Sequence, residues 1–269
     1  MQRRAVRILS SLVFTTLLGS IPVWAQSSLG TAQSFAVLGG TTVTNTGPSV
    51  ITGDLGVHPG GAPPPGSFPP GTVTGTIHAA NAVALQAKND LTTQYNALAG
   101  AGCAANLTGQ NLGGMTLVSG TYCFSSSAQL TGTLTLNAQG NSDATFIFKI
   151  GSTLTTASGS SVVLINGGNP CGVAWQIGSS ATLGTTTSFL GNLIALTSIT
   201  LNTGANIIGG RALARNGAVT LDTNNISFAS CAAGGGPPSV PTLATWAVIA
   251  MAVLLALAGF VTLRGRQTA

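Results

Sequence analysis

Four times between residues 153 and 223 the chain writes Thr-Leu-x-Thr. The copies are Thr153-Leu154-Thr155-Thr156, Thr182-Leu183-Gly184-Thr185, Thr200-Leu201-Asn202-Thr203 and Thr220-Leu221-Asp222-Thr223. Thr135-Leu136-Asn137-Ala138 is a degraded fifth copy, and successive starts lie 18, 29, 18 and 20 residues apart. A unit recurring near 20 residues and holding several short strands is the signature of a stacked solenoid, because one unit alone cannot bury its apolar face. In each copy the leucine is read as inward, so the preceding threonine and the residue at x face out.

A second strand series runs beside the first: ATFIFKI at 144–150, GVAWQI at 172–177, NLIAL at 192–196 and RALA at 211–214. Alternation sends Phe146, Phe148 and Ile150 inward with Val173, Trp175 and Ile177. The opposite set, Ile147, Ala174, Ala195 and Ala214, is too apolar for solvent and calls for a cover. Residues 78–100 supply one as a helix, with Ala80, Ala84, Ala87, Leu91 and Leu98 on one stripe and Gly100 and Gly102 at its end. About 20 helical residues span ~30 Å, close to the length of six coils stacked at ~4.8 Å. Residues 53–77 are rich in proline and read as an irregular cap at one end of the stack. Thr42-Val43-Thr44 carries the outward-inward-outward pattern ahead of the helix, so the stack is expected to be interrupted in sequence by cap and helix.

Both ends read as addresses. Residues 1–25 have a basic start, an apolar run from Ile8 to Leu18 and Val23-Trp24-Ala25 before Gln26, the plan of a secretory signal. The folded domain is placed at 26–232, followed by a Gly/Pro linker at 233–239. Residues 246–263 form an 18-residue apolar stretch, long enough to span ~30 Å of hydrocarbon as a transmembrane helix, and Arg264 and Arg266 stop transfer behind it. Val240-Pro241-Thr242-Leu243 with Trp246, the apolar helix and the basic tail resemble a bacterial C-terminal sorting signal of the Ile-Pro-Thr-Leu kind. Val240 stands for its isoleucine and Ala247 for its glycine. The resemblance implies a Gram-negative bacterium, processing by an exosortase-type enzyme, and a secreted or cell-surface protein held at the envelope membrane before processing.

Charge and chemistry exclude several classes. The formal charge is +5, but five of the arginines lie in the two terminal segments. Lys88, Lys149, Arg211 and Arg215 balance Asp54, Asp90, Asp143 and Asp222, so the domain is neutral and lacks the basic patch that nucleic acid requires. His58 and His78 flank the proline-rich segment with no carboxylate cluster in sequence, and the aspartates are scattered. No catalytic set, metal site or cofactor is therefore expected; a pectate-lyase-like β-helix enzyme would call for clustered aspartates and a basic catalytic residue. Cys103, Cys123, Cys171 and Cys231 allow three pairings. Export favours disulfides, and 103–123 with 171–231 is preferred because Cys103 follows the helix and Cys123 lies in the next coil.

Five segments in order, from SFAVLGGTTVTNTGPSVITGDLGV through GTVTGTIHAANAVALQAKNDLTTQYNALAG, GTYCFSSSAQLTGTLTL and FIFKIGSTLTTASGSSVVLING to GNLIALTSITLNTGANIIGGRALARNGAVTLDT, resemble the microbial ice-binding protein family over residues 29–228. The resemblance implies a mainly β fold, a discontinuous triangular β-solenoid with one long helix alongside. It also implies an ice crystal surface as partner. Stacking would set Thr135, Thr153, Thr182, Thr200 and Thr220 in a column at ~4.8 Å, assisted by Thr133 and Thr155. Such a flat array of hydroxyls and methyls is the expected ice-binding surface. A surface adhesin or scaffold without ice activity is the alternative, since threonine is also a good outward strand residue.

Overall fold

In the computed structural model, residues 29–61 and 68–228 are described. The expected signal peptide, the expected linker, the sorting motif and the expected span at 246–263 lie outside the described residues. Among the described residues no helix is long and apolar enough to cross a membrane.

Every strand pairing is parallel. The strands form a 15-stranded sheet and a 6-stranded sheet. Together they make three walls around one apolar core. The helix wall stacks Ile77–Ala79, Asp54–Val57, Phe35–Gly39, residues 211–214 and 192–195, Val173–Ile177, Phe146–Ile150, Gly120–Phe124 and Ala105–Asn106. The threonine wall is the smaller sheet: Ala128–Leu130, Leu154–Thr156, Ala181–Leu183, Ile199–Leu201, Val219–Leu221 and Val43–Asn45. The long wall stacks Thr72–Val73, Val50–Thr52, Asn225–Ser227, residues 206–208 and 188–190, Ser161–Ile165, Thr133–Asn137 and Thr116–Val118. Ser188–Ala195 and Asn206–Ala214 serve two walls by bending at a register shift after Leu190. Gly191 makes that bend at φ +99°, where a Cβ would sit 2.6 Å from the Val173 side chain.

The stack is discontinuous in sequence, as the early Thr42-Val43-Thr44 predicts. Phe35–Gly39, Val43–Asn45 and Val50–Thr52 pair with residues 211–214, 219–221 and 225–227, so the first coil seats on the last. The chain then forms the end segment, runs back along the helix and restarts at residue 105 at the other end. The end segment is more regular than its prolines suggest. Asp54–Val57 pairs on both sides, and Thr72–Val73 extends the long wall as an edge strand.

The helix spans Ala82–Gly100 rather than starting at 78, because Ile77–Ala79 is taken up as a strand against residues 55–57. Ala80 turns at φ 49°, and the Asn81 side chain caps the first turn by accepting from Ala84 N–H at 3.0 Å. Ala84, Ala87, Leu91 and Leu98 are buried as expected, joined by Lys88, Gln94 and Tyr95, while Ala80 lies before the helix and is exposed. Ala195 and Ala214 do not face the helix. Register pairs them with the inward Ile177, and Ile194 and Leu213 meet the helix instead. The interior holds an aromatic stack: Phe148 and Trp175 lie 3.8 Å apart at 9°, flanked by Tyr122 and Phe189. Burying such a ring contributes roughly 1.5–3 kcal/mol.

Two cations are buried where the helix wall closes. Arg211 is fully buried and donates to Gln33 O at 2.7 Å and Asn192 Oδ1 at 2.8 Å, with Phe228 beneath it at 4.5 Å. Burial pushes it down to about 10. It thereby ties the first coil to the end of the last. Lys88 Nζ donates to Ala214 O at 2.5 Å and to Arg215 O, and Arg215 stacks on Tyr95 at 4.6 Å.

Candidate functional site

The helix occupies one wall, and among the described residues the other two are open. On the threonine wall, Thr155, Thr182, Thr200, Thr220 and Thr44 share one register position on successive strands. Neighbours along this column are ~4.8 Å apart. Thr155 and Thr44 are exposed and the three between them half-buried. Gln129 continues the column beyond Thr155, and Asn111 bridges to Gln129.

This membership differs from the expected column in two places. Thr153 lies one residue before its strand and donates to Ser127 Oγ at 2.8 Å, and it is Thr155 that pairs with Thr182. The copy at 153–156 is displaced by two residues because Thr156, not a leucine, fills the second inward slot. It is 2% exposed, accepts from Gly184 N–H at 2.9 Å and lies 2.8 Å from Thr187 Oγ1. Thr135 belongs to the long wall, between Thr116 and Val163. Thr133 stands on the same wall, its Oγ1 2.8 Å from Ser161 Oγ.

The long wall presents two outward rows. Thr133, Ser161, Ser188, Asn206, Asn225, Val50 and Thr72 form the first. The second contains Thr116, Thr135 and Val163, then Leu190, Ile208, Ser227 and Thr52. Val118, Asn137 and Ile165 begin a third. None of these residues is charged. Val50, Val118, Val163, Ile165 and Ile208 are the exposed large aliphatics of the strands, with Ile208 the most exposed at 54%. The threonine wall has none of them and is bordered at its corner by Asp222. That carboxylate accepts from Thr203 Oγ1 at 2.5 Å and Thr223 Oγ1 at 3.1 Å, bonds that hold it below the usual carboxylate range. A recurrent signal for the long wall was present in sequence: Ser158-Gly-Ser-Ser161, Thr185-Thr-Thr-Ser188 and Thr203-Gly-Ala-Asn206 each lead into one of its strands.

Among the described residues, neither open wall gathers acid–base groups. His78 Nε2 lies 3.9 Å from Asp54 Oδ2, a pairing of residues that are distant in sequence, and its Nδ1 lies 3.1 Å from Asn81 Nδ2. Among the described residues no three His, Cys, Asp or Glu side chains converge as metal ligands. Cys103 and Cys123 are bonded, with Cα atoms 5.8 Å apart. Cys171 is also disulfide-bonded, and Cys231 lies outside the described residues.

Over residues 37–227 the chain matches the Ice-binding-like family, and over residues 238–265 it matches the IPTL-CTERM motif. It is 56% identical over 227 residues to an ice-binding protein of Nostoc sp. (strain HG1), covering 84% of this chain and 83% of that one. Among solved structures, an ice-binding protein from an Antarctic biological consortium aligns with TM-score 0.71 at 48% identity, covering 74% of this chain and 89% of that one. The ice-binding protein of the Antarctic ascomycete Antarctomyces psychrotrophicus aligns with TM-score 0.72 at 38% identity, covering 76% and 98%.

Proposed function

As this chain belongs to the Ice-binding-like family, we propose that it is an exported protein that adsorbs to ice through the long wall. The observation that carries the choice of wall is its lack of charge combined with exposed Val163, Ile208 and their neighbours set among Thr133, Ser161, Ser188 and Asn206. An aliphatic patch of this kind on a soluble domain marks a contact surface. Methyl groups disfavour liquid hydration, hydroxyl and amide groups hold water at fixed positions, and the parallel strands repeat those positions at ~4.8 Å. Water ordered over such a wall can merge with a crystal plane. Mobile charged side chains would disrupt that order.

The threonine wall is the second reading. It is favoured by the unbroken register of Thr155, Thr182, Thr200, Thr220 and Thr44. A pair of bulky substitutions, Ile208→Tyr on the long wall and Thr200→Tyr on the threonine wall, separates the two. Ice-affinity partition should fall with the first and persist with the second. A wild-type protein that stays wholly in the liquid would leave the adhesin or scaffold alternative.

Export follows from the signal at 1–25 in this reading. Val240, Pro241, Thr242, Leu243 and Trp246 are the sorting motif offered to an exosortase-type enzyme. Residues 246–263 hold the chain in the envelope membrane until processing. No catalytic step is part of this function. Cell fractionation tests the location, and a full-length chain recovered in the cytosol would overturn it.

A further inference from the structure

At the far end of the helix wall, past the helix C-terminus, lies a pocket of about 410 Å³ lined by Cys103, Cys123, Phe124, Ser125, Lys149 and Gln176, among others. Its volume is within the range of small-molecule sites. Cys123, Lys149 and Gln176 are register neighbours on three successive strands, so their side chains leave the wall side by side. Lys149 Nζ donates to Ala101 O at 2.8 Å, which fixes the ammonium at the pocket and, among the described residues, leaves two of its three N–H groups for a ligand. Gln176 is 6% exposed and its side chain lines the same pocket. Among the described residues no acidic side chain lines the pocket.

We propose that this pocket is a binding site for a small organic carboxylate. One carboxylate oxygen would accept from Lys149 Nζ and the other from Gln176 Nε2. These are the two donors that the wall sets ~4.8 Å apart at their bases. A charge-assisted pair of this kind distinguishes a carboxylate from its neutral amide. The Cys103–Cys123 bridge forms part of the enclosing wall and holds the chain after the helix over the cavity. The site is on a different wall from the surfaces assigned to ice and does not rest on that assignment.

The test is a titration of benzoate, with benzamide as its neutral counterpart, into the isotopically labelled exported protein with its disulfides intact. Backbone amide shifts are the readout. Benzoate should give saturable shifts confined to residues 103, 123–125, 149–151 and 176–178, with benzamide at least about tenfold weaker. Lys149→Met should remove the benzoate response, and Gln176→Leu should weaken it, with partition into ice unchanged in both. Where Lys149→Met fails to fold, Gln176→Leu and the benzoate–benzamide difference in the wild type still decide. No saturable shift with benzoate, equal binding of benzamide, or unaltered binding in the folded variants overturns the proposal.

Discussion

Thr156 Oγ1 lies 2.8 Å from Thr187 Oγ1 inside the corner that joins the threonine wall to the long wall, and it accepts from Gly184 N–H at 2.9 Å. An inward slot that other coils fill with leucine is therefore satisfied here by a buried hydroxyl pair. Thr156→Val keeps the shape and strands the Gly184 N–H, while the Thr187 hydroxyl loses one partner and keeps its bond to Ala157 O at 3.3 Å. It should lower unfolding free energy by about 1–3 kcal/mol in urea titration. Thr156→Val with Thr187→Val should be less destabilising than the sum of the two single changes, because the pair is removed together. Strict additivity would contradict the pairing.

The Cys103–Cys123 bridge closes a loop with a sequence separation of 20 residues and ties the end of the helix to strand Gly120–Phe124. Chain entropy places its contribution at roughly 3 kcal/mol. Cys103→Ser with Cys123→Ser should therefore lower the urea midpoint and increase hydrogen exchange in residues 95–106. Exchange that rises equally everywhere would contradict a role local to the helix end.

Lys88 gives the fold a pH dependence with a definite sign. Burial, and then the neighbouring Arg215 guanidinium, push its ammonium down to about 7 from the ordinary lysine value of 10.5. Below pH 7 both folded and unfolded chains hold the proton, and the folded state carries the full burden of a buried charge. Between about pH 7 and pH 10.5 the unfolded chain binds more protons than the folded one, so stability rises with pH. The thermal midpoint of the wild type should climb across that window, and Lys88→Met should flatten the climb. Parallel curves for the two proteins would contradict this account.

Much of the architecture was legible because its causes are local. Leucine and threonine alternation predicts short strands, the near-20-residue repeat predicts stacking, and the Ala84–Leu98 stripe predicts a helix that covers an apolar wall. What escaped depended on register. Thr-Leu repeats at 135 and 153 resemble those at 182, 200 and 220, yet the first lies on another wall and the second is displaced by two residues. Ala195 and Ala214 were expected beneath the helix, but their pairing with Ile177 turns them into the core. A substitution such as Ala195→Tyr would thus overpack the solenoid interior instead of striking the helix. His78 and Asp54 meet through pairing of Asp54–Val57 with Ile77–Ala79, which no short motif encodes.

The most direct measurement is thermal hysteresis, with ice-crystal shaping recorded alongside, for the wild type, Ile208→Tyr and Thr200→Tyr, each first checked for an unchanged unfolding midpoint. Ile208 is 54% exposed in the middle of the long wall, so a tyrosine there should hold the crystal off the surrounding rows without disturbing the core. The account predicts hysteresis and faceted crystals for the wild type, loss of most of the hysteresis in Ile208→Tyr, and near-complete retention in Thr200→Tyr. Loss in Thr200→Tyr with retention in Ile208→Tyr would move the ice contact to the threonine wall, and a wild type with neither hysteresis nor shaping would contradict ice binding itself.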